Sequence, residues 1–306
     1  MAGMVRRTPL AASGVLSGQA GTPVFLKLEN VQETGSFKLR GATNTLLSLG
    51  EAERARGVVA VSSGNHGRAV AHVARSSGVA ATICLTGRVP AVKRDAIAAL
   101  GARVVIAGET QDEADARARR LVVEEGLTFV HPFDDPRVIA GQGTIGIEIL
   151  EDLPSVSTVV VPLSGGGLIS GIAAVLEAAD PAIRVVGVSQ DRGPAMHLSL
   201  LAGRVAEVVE EDTLADALAG GLGEENHHTL AMCRELVDET VLVSEEEIAA
   251  AMAMLYRAEH QVVEGGGAVG VAALATGRVV PRGDTVVVVS GGNVDPDLHA
   301  RVVGGR

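Results

Sequence analysis

The chain has 26 Lys+Arg, yet only three of them are lysines: Lys27, Lys38 and Lys93. One lies in the stretch ETGSFKLRGA, residues 33–42. Arginine stays protonated at any working pH, whereas a lysine withdrawn from water can lose its proton and attack a carbonyl to form a Schiff base. A chain that otherwise prefers arginine marks Lys38 as a candidate for carbonyl chemistry. The turn Gly35–Ser36, with Ser36 as N-cap, predicts Lys38 in the first turn of a helix, where the dipole disfavours positive charge and eases deprotonation. On this loop alone, a surface lysine fits equally well.

Three further loops carry residue types suited to binding. SSGNHG (62–67) follows the strand GVVAV and opens a helix, so backbone N–H groups near Ser63, Gly64 and Asn65 can hold a carboxylate or phosphate. Plain helix capping by Ser and Asn accounts for the same residues, and His66 by itself reads as a structural histidine. PLSGGGLISG (162–171) sets Ser164, Gly165, Gly166 and Gly167 between a strand and a helix, where consecutive glycines let the backbone wrap an anion. The same turn also suits a nucleotide or simple close packing. VVVVSGGN (286–293) ends a core strand at Ser290, whose hydroxyl can meet a ligand ring or merely finish the strand. Together these loops offer a Schiff-base lysine, two anion sites and a polar strand end, a set that suits pyridoxal phosphate.

The elements that must position these loops are short β-branched runs alternating with Ala-rich helical segments. The runs are VFLKLE (24–29), GVVAVS (57–62), ATICL (81–85), RVVIAG (103–108), STVVVPLSG (157–165), IRVVGVS (183–189), ETVLVS (239–244) and DTVVVVSGG (284–292). This alternation predicts an α/β chain of two lobes with mainly parallel sheets flanked by helices and doubly buried strands. Thr110 with Glu113, and Ser244 with Glu247, form capping boxes that start two helices. HPFDDP (131–136) is rich in turn formers and reads as a hinge between the lobes.

Composition narrows the function classes. The 306 residues suffice for one large domain or two ordinary ones, each with a sizeable core. A formal charge of −11, no tryptophan, one tyrosine and four phenylalanines argue against a nucleic-acid surface and for a small-molecule partner. Cys84 and Cys233 each sit in an apolar run, as buried thiols of a reducing compartment would. The start MAGMVRRTPLAASGVL has no continuous apolar segment of a signal peptide, and no stretch of about 18 apolar residues occurs, so membrane insertion is not expected and a cytoplasmic location is.

The motifs TGSFKLRGA, SSGNHG, HPFDDPRVIAGQGTIGIEIL (131–150), SGGGLISG and SGGN, in this order and across nearly the whole chain, resemble the threonine dehydratase and serine racemase group of pyridoxal-phosphate enzymes, of the tryptophan synthase β fold type (PLP fold type II). The resemblance implies a large cofactor-binding domain at 1–45 and 140–306 and a small domain at 46–139 that closes over the substrate. It implies that Lys38 joins the cofactor's aldehyde with Phe37 beside the ring, and that Asn65 bonds the phenolic oxygen. Ser62, Ser63, Gly64, Asn65 and His66 would receive the substrate carboxylate. Gly165, Gly166, Gly167 and Leu168 would hold the phosphate through backbone N–H groups, and Ser290 would meet the pyridine nitrogen. A neutral serine there does not force the ring to stay protonated, which favours loss of a β substituent over transamination. The implied reaction removes the β-hydroxyl of a hydroxyamino acid such as L-threonine or L-serine. Lys38 acts as the base at Cα, and the products are a 2-oxo acid and ammonia. A homodimer is the assembly implied.

Four features depart from a plain threonine dehydratase. Ser63 stands where dehydratases of the group often have alanine; racemases share the serine, which can reprotonate the opposite face, so Ser63 is a second catalytic candidate. In SQDRGPAM (189–196), the metal-binding carboxylates of racemase-like members are replaced by Ser189 and Ala195, and Asp191 alone is too few oxygens, so no metal is expected. The glycine- and histidine-rich segment ADALAGGLGEENHHT (215–229) is similar to the hydroxyectoine-utilisation dehydratases of the same family, with His227 and His228 as solvated loop residues. The chain runs only a short way past Asn293, without the isoleucine-sensing domain of biosynthetic members, which suggests a catabolic or specialised role. A different class stays open on the residues alone: Gly165, Gly167 and Gly171 mimic a dinucleotide fingerprint with Asp191 downstream, as in a nicotinamide-dependent oxidoreductase.

Overall fold

The computed structural model describes residues 3–223 and 225–305. Ten strands occur among them: β1 Leu10–Ala12, β2 Val24–Leu28, β3 Val58–Val61, β4 Ala81–Leu85, β5 Arg103–Ile106, β6 Thr128–Phe129, β7 Thr158–Pro162, β8 Arg184–Gln190, β9 Glu239–Val243 and β10 Thr285–Val289. They form a six-stranded sheet in the order β1-β2-β10-β7-β8-β9 and a four-stranded sheet in the order β5-β4-β3-β6. Every pairing is parallel except β1 with β2. This is the mainly parallel α/β architecture expected.

The valine-rich runs lack polar alternation because both faces of these strands are covered. In β7, Val160 packs in one core with Val287 and Val289 of β10 and the helix Gly265–Ala275, while Val159 and Val161 pack in a second core with Val286, Val288 and the helix Gly167–Ala179. The strand period of two sends neighbouring valines to opposite helix layers. The smaller sheet repeats the pattern, with Val58 and Ala60 on one side of β3 and Val59 and Val61 on the other. Both capping boxes form as expected, and Cys84 and Cys233 are free, buried thiols. The strands β1 and β6, of three and two residues, are too short to show a period in the sequence. Among the described residues, no helix is long and apolar enough to cross a membrane.

Two compact units divide the chain. The smaller comprises the segment ending at Arg6 and Lys38–Gly141; the larger comprises Arg7–Phe37 and the segment from Gln142 onward. The expected divisions were at 45/46 and 139/140. Helix Lys38–Leu47 joins the smaller unit because Leu39, Ala42 and Leu46 pack in one core with Ala69, Val70 and Val73 of helix Asn65–Ser77. The second division falls inside the helix Pro136–Asp152 and not in the turn at 131–136, which belongs wholly to the smaller unit.

Candidate active site

In the smaller unit, Lys38 is the first residue of helix Lys38–Leu47 and is half-buried. Its Nζ donates to the carbonyl of Pro132 at 2.5 Å. That carbonyl belongs to a tightly bonded turn. The Nδ1 of His131 accepts the backbone N–H groups of Phe133 (3.2 Å) and Asp134 (2.7 Å), and Asp135 Oδ1 accepts those of Arg137 (2.7 Å) and Val138 (3.3 Å). Ser36, expected as the N-cap of the lysine helix, does not serve as one. Its backbone pairs with Gly291, and its buried hydroxyl has no hydrogen-bond partner among the described residues.

The loop SSGNHG leaves the end of β3 and enters helix Asn65–Ser77 through Gly64, which supplies no side-chain cap. Ser62 Oγ turns back to accept the Gly64 N–H at 3.1 Å. Side-chain capping of the helix, the bland reading of these residues, is therefore not made at the N-cap, which leaves this terminus suited to a carboxylate. Gly67 is dictated by backbone proximity: a Cβ built there would lie 2.0 Å from the Ser62 carbonyl oxygen. His66 is buried and its Nε2–H donates to the Val130 carbonyl at 2.8 Å. Burial, and after it the charge of Lys38, push the imidazole down to about 3, so it stays neutral at physiological pH. His131 is likewise pushed down to about 4, chiefly by burial.

In the larger unit, the glycine loop connects β7 to helix Gly167–Ala179. Gly166 is the N-cap with φ +86°, and no side chain caps the helix. A Cβ at Gly166 would meet Met196 Cε at 2.8 Å, Thr229 Cβ at 2.9 Å and Cys233 Sγ at 3.0 Å, so only glycine holds this bend with its N–H groups gathered at the terminus. Beyond β10, Ser290 is buried at the strand end. Its carbonyl accepts the Phe37 N–H at 3.0 Å, Gly35 accepts from the Gly292 N–H at 2.9 Å, and Asn293 Nδ2 donates to the Thr34 carbonyl at 2.8 Å. The segments TGSF and SGGN, far apart in sequence, thus form one backbone unit immediately before Lys38. Nothing in the sequence signals this pairing. Glu264, buried against Gly291, was also missed; its N–H donates to the Gly291 carbonyl at 3.2 Å.

The departures resolve locally. Ser189 donates to Gln190 Oε1 at 3.0 Å, and Gln190 Nε2 donates to the carbonyls of Arg192 (3.1 Å) and Leu218 (3.4 Å), so amide bonding occupies this strand end. Asp191 is exposed and Ala195 buried. Among the described residues, no group of three or more His, Cys, Asp or Glu is placed to hold a metal ion. Asn226 organises the start of helix Thr229–Leu236 through Thr229 Oγ1 (2.8 Å) and the Leu230 N–H (2.8 Å), while His227 lies exposed beside Glu225.

These residues fit pyridoxal phosphate. An uncapped helix terminus behind a glycine whose Cβ position is already crowded suits a phosphate dianion, and a half-buried lysine amine suits an aldehyde. The chain is 52% identical over 302 residues to a putative threonine dehydratase of Sinorhizobium fredii, covering 98% of this chain and 91% of that one. It is 46% identical over 300 residues to an L-threonine ammonia-lyase of Thermotoga maritima, covering 98% and 74%. Among solved structures, that of maize serine racemase superposes with a TM-score of 0.91 at 33% identity, over 98% of this chain and 92% of that one. The family model described as pyridoxal-phosphate dependent enzyme matches residues 1–292, which leaves the nicotinamide reading without support: the chain belongs to this family of pyridoxal-phosphate-dependent enzymes.

Proposed function

We propose that the protein is an ammonia-lyase that eliminates the β-hydroxyl of a hydroxyamino acid, L-threonine or L-serine, to give a 2-oxo acid and ammonia. The observation that carries this reading is the setting of Lys38: a half-buried amine at a helix start, hydrogen-bonded to a backbone carbonyl and close to a histidine held neutral. When bound, pyridoxal phosphate supplies the electron sink for bond breaking at Cα. The chain's own residues supply the rest. Lys38 would anchor the cofactor and supply the amine that takes the Cα proton; Phe37 would pack against its ring and Asn65 would hydrogen-bond its phenolic oxygen. The backbone N–H groups of Gly165, Gly166, Gly167 and Leu168 would hold the phosphate, and those of Ser62 to His66 the substrate carboxylate. Ser290 would offer the ring nitrogen a neutral partner, which would favour elimination over transamination.

The relatives support L-threonine as the first substrate to try, since two bear its dehydratase or ammonia-lyase name. Ser63 extends the proposal to a racemase side activity, because its half-buried hydroxyl has no protein partner among the described residues and is available to deliver a proton. The proposal places the enzyme in the cytoplasm as a homodimer, in keeping with two unpaired buried thiols.

The test is the visible spectrum of wild type and Lys38→Ala after incubation with pyridoxal phosphate, followed by borohydride reduction and peptide mass mapping. A yellow wild type with a pyridoxyl group on Lys38, a variant without either, and 2-oxo acid release from L-threonine are expected. A wild type that stays colourless and inactive sinks the reading. A yellow protein inactive on both threonine and serine redirects the search to hydroxyectoine-derived substrates.

A further inference from the structure

The turn HPFDD is more rigid than its composition suggests, and its bonding points at Lys38. The Nδ1 of His131 accepts two successive N–H groups, from Phe133 at 3.2 Å and Asp134 at 2.7 Å. Those two residues follow directly on Pro132, whose ring fixes its own φ. The carbonyl between Pro132 and Phe133 is thereby held from both sides, and it is this carbonyl that receives the Lys38 amine. We propose that His131 is a positioning residue for Lys38: its ring, accepting the N–H groups of Phe133 and Asp134, fixes the carbonyl on which the amine docks.

The proposal rests on the reading of Lys38 as the reactive lysine. Only an unprotonated Nδ1 can accept these bonds, so the ring must carry its proton on Nε2. Phe129 at 6.0 Å and Phe133 at 4.7 Å between centroids meet the imidazole edge-to-face. The preceding residue extends the same device: the Val130 carbonyl is held by the Nε2–H of His66 at 2.8 Å. Two neutral imidazoles therefore tie down the backbone on either side of the lysine's dock, and neither adds a positive charge that would compete with the amine's own proton.

Because the chain has only three lysines, the cofactor-free protein labelled with 13C at lysine Cε gives three signals, assigned by single substitutions. In His131→Ala we expect the Lys38 signal to move and its titration midpoint to shift by about half a unit or more, with the Lys27 and Lys93 signals unchanged. In His131→Asn the amide oxygen can accept the same two N–H groups, and the Lys38 signal and midpoint should remain as in wild type. After loading, His131→Ala should lose kcat about tenfold with little change in KM, as expected for a misplaced base. A Lys38 signal unmoved in a folded His131→Ala overturns the proposal. So does a folded His131→Asn whose Lys38 signal has moved, which decides the matter even where the alanine variant fails to fold. The lysine signals are read without cofactor, so a wild type that never acquires pyridoxal phosphate refutes the functional reading separately.

Discussion

Gly166→Ala tests the glycine loop most directly, because the structure separates its costs. The residue sits at φ +86°, and its missing Cβ would lie within 3.0 Å of Met196, Thr229 and Cys233. A left-handed backbone costs an L-residue about 1–2 kcal/mol, and the crowding adds about 1–3 kcal/mol. Reduced freedom of the unfolded chain returns about 0.4–1 kcal/mol. Gly277→Ala is the control: it has φ +72° but nothing within 4 Å of its Cβ position, so it bears the first and last terms alone. The two variants should differ by the crowding term, roughly 2–12 °C in Tm at about 2–4 °C per kcal/mol. Spectrophotometric titration with pyridoxal phosphate should show affinity at least about tenfold weaker in Gly166→Ala, the loss of one charge-assisted hydrogen bond. Gly277→Ala should bind as wild type. Equal Tm losses would refute the packing argument, and unchanged cofactor affinity in Gly166→Ala would refute the loop as the phosphate cradle.

Three further outcomes are expected. Gly67→Ala, whose Cβ would collide with the Ser62 carbonyl at 2.0 Å, should raise KM for the amino acid well above that of Gly64→Ala, which meets nothing within 4 Å; equal KM values would remove the Ser62–His66 loop from substrate binding. Glu148→Gln removes the nearer carboxylate, at 2.6 Å, from the fully buried ammonium of Lys27, which keeps Asp152 at 4.0 Å, and should cost about 3 kcal/mol; urea unfolding that shows no loss would contradict this. His66 and His131 have folded values of about 3 and 4 against an unfolded 6.5, so the unfolded chain binds protons first and stability falls with pH from 6.5 downward. Between pH 7 and 5 each should remove roughly 2 kcal/mol. His131→Asn should therefore remove about 2 kcal/mol of that pH dependence, and an unfolding midpoint that is the same at pH 7 and 5 would exclude both shifts.

How much of this could be read from the sequence depended on the range of the interaction concerned. The runs at 157–165 and 284–292 announced buried parallel strands because burial on both faces is written into each residue of the strand. The glycine loop and SSGNHG were legible as bends for a similar reason: a strand, a bend and a helix start are consecutive in each, and the helix N-termini without side-chain caps follow from that local order. Lysine scarcity was a weaker guide than it looked. It marked Lys27 as strongly as Lys38, yet Lys27 is fully buried in β2, donating to the Thr8 carbonyl at 2.7 Å and paired with Glu148, a partner more than a hundred positions away. Only the flanking TGSF and LRGA separated the two.

What stayed hidden was held by partners distant in the chain or by the choice between a turn that moves and one that does not. No residue of TGSF signals that its backbone bonds SGGN, and so Ser36 looked like a helix cap when its place is in a strand-like pairing with Gly291. HPFDDP looked like a hinge because histidine, proline and aspartate break regular structure wherever they occur. The same composition builds a rigid turn when each polar atom finds a backbone N–H, as His131 and Asp135 do. Turn-forming residues report that the chain reverses; the bonds they make decide whether the reversal is a joint or a fixture. Here His131 and Asp135 are bonded to backbone, and the Pro132 carbonyl between those bonds is the one that accepts the Lys38 amine, so the proposed role of the lysine and the order of this turn would stand or fall on the same few hydrogen bonds.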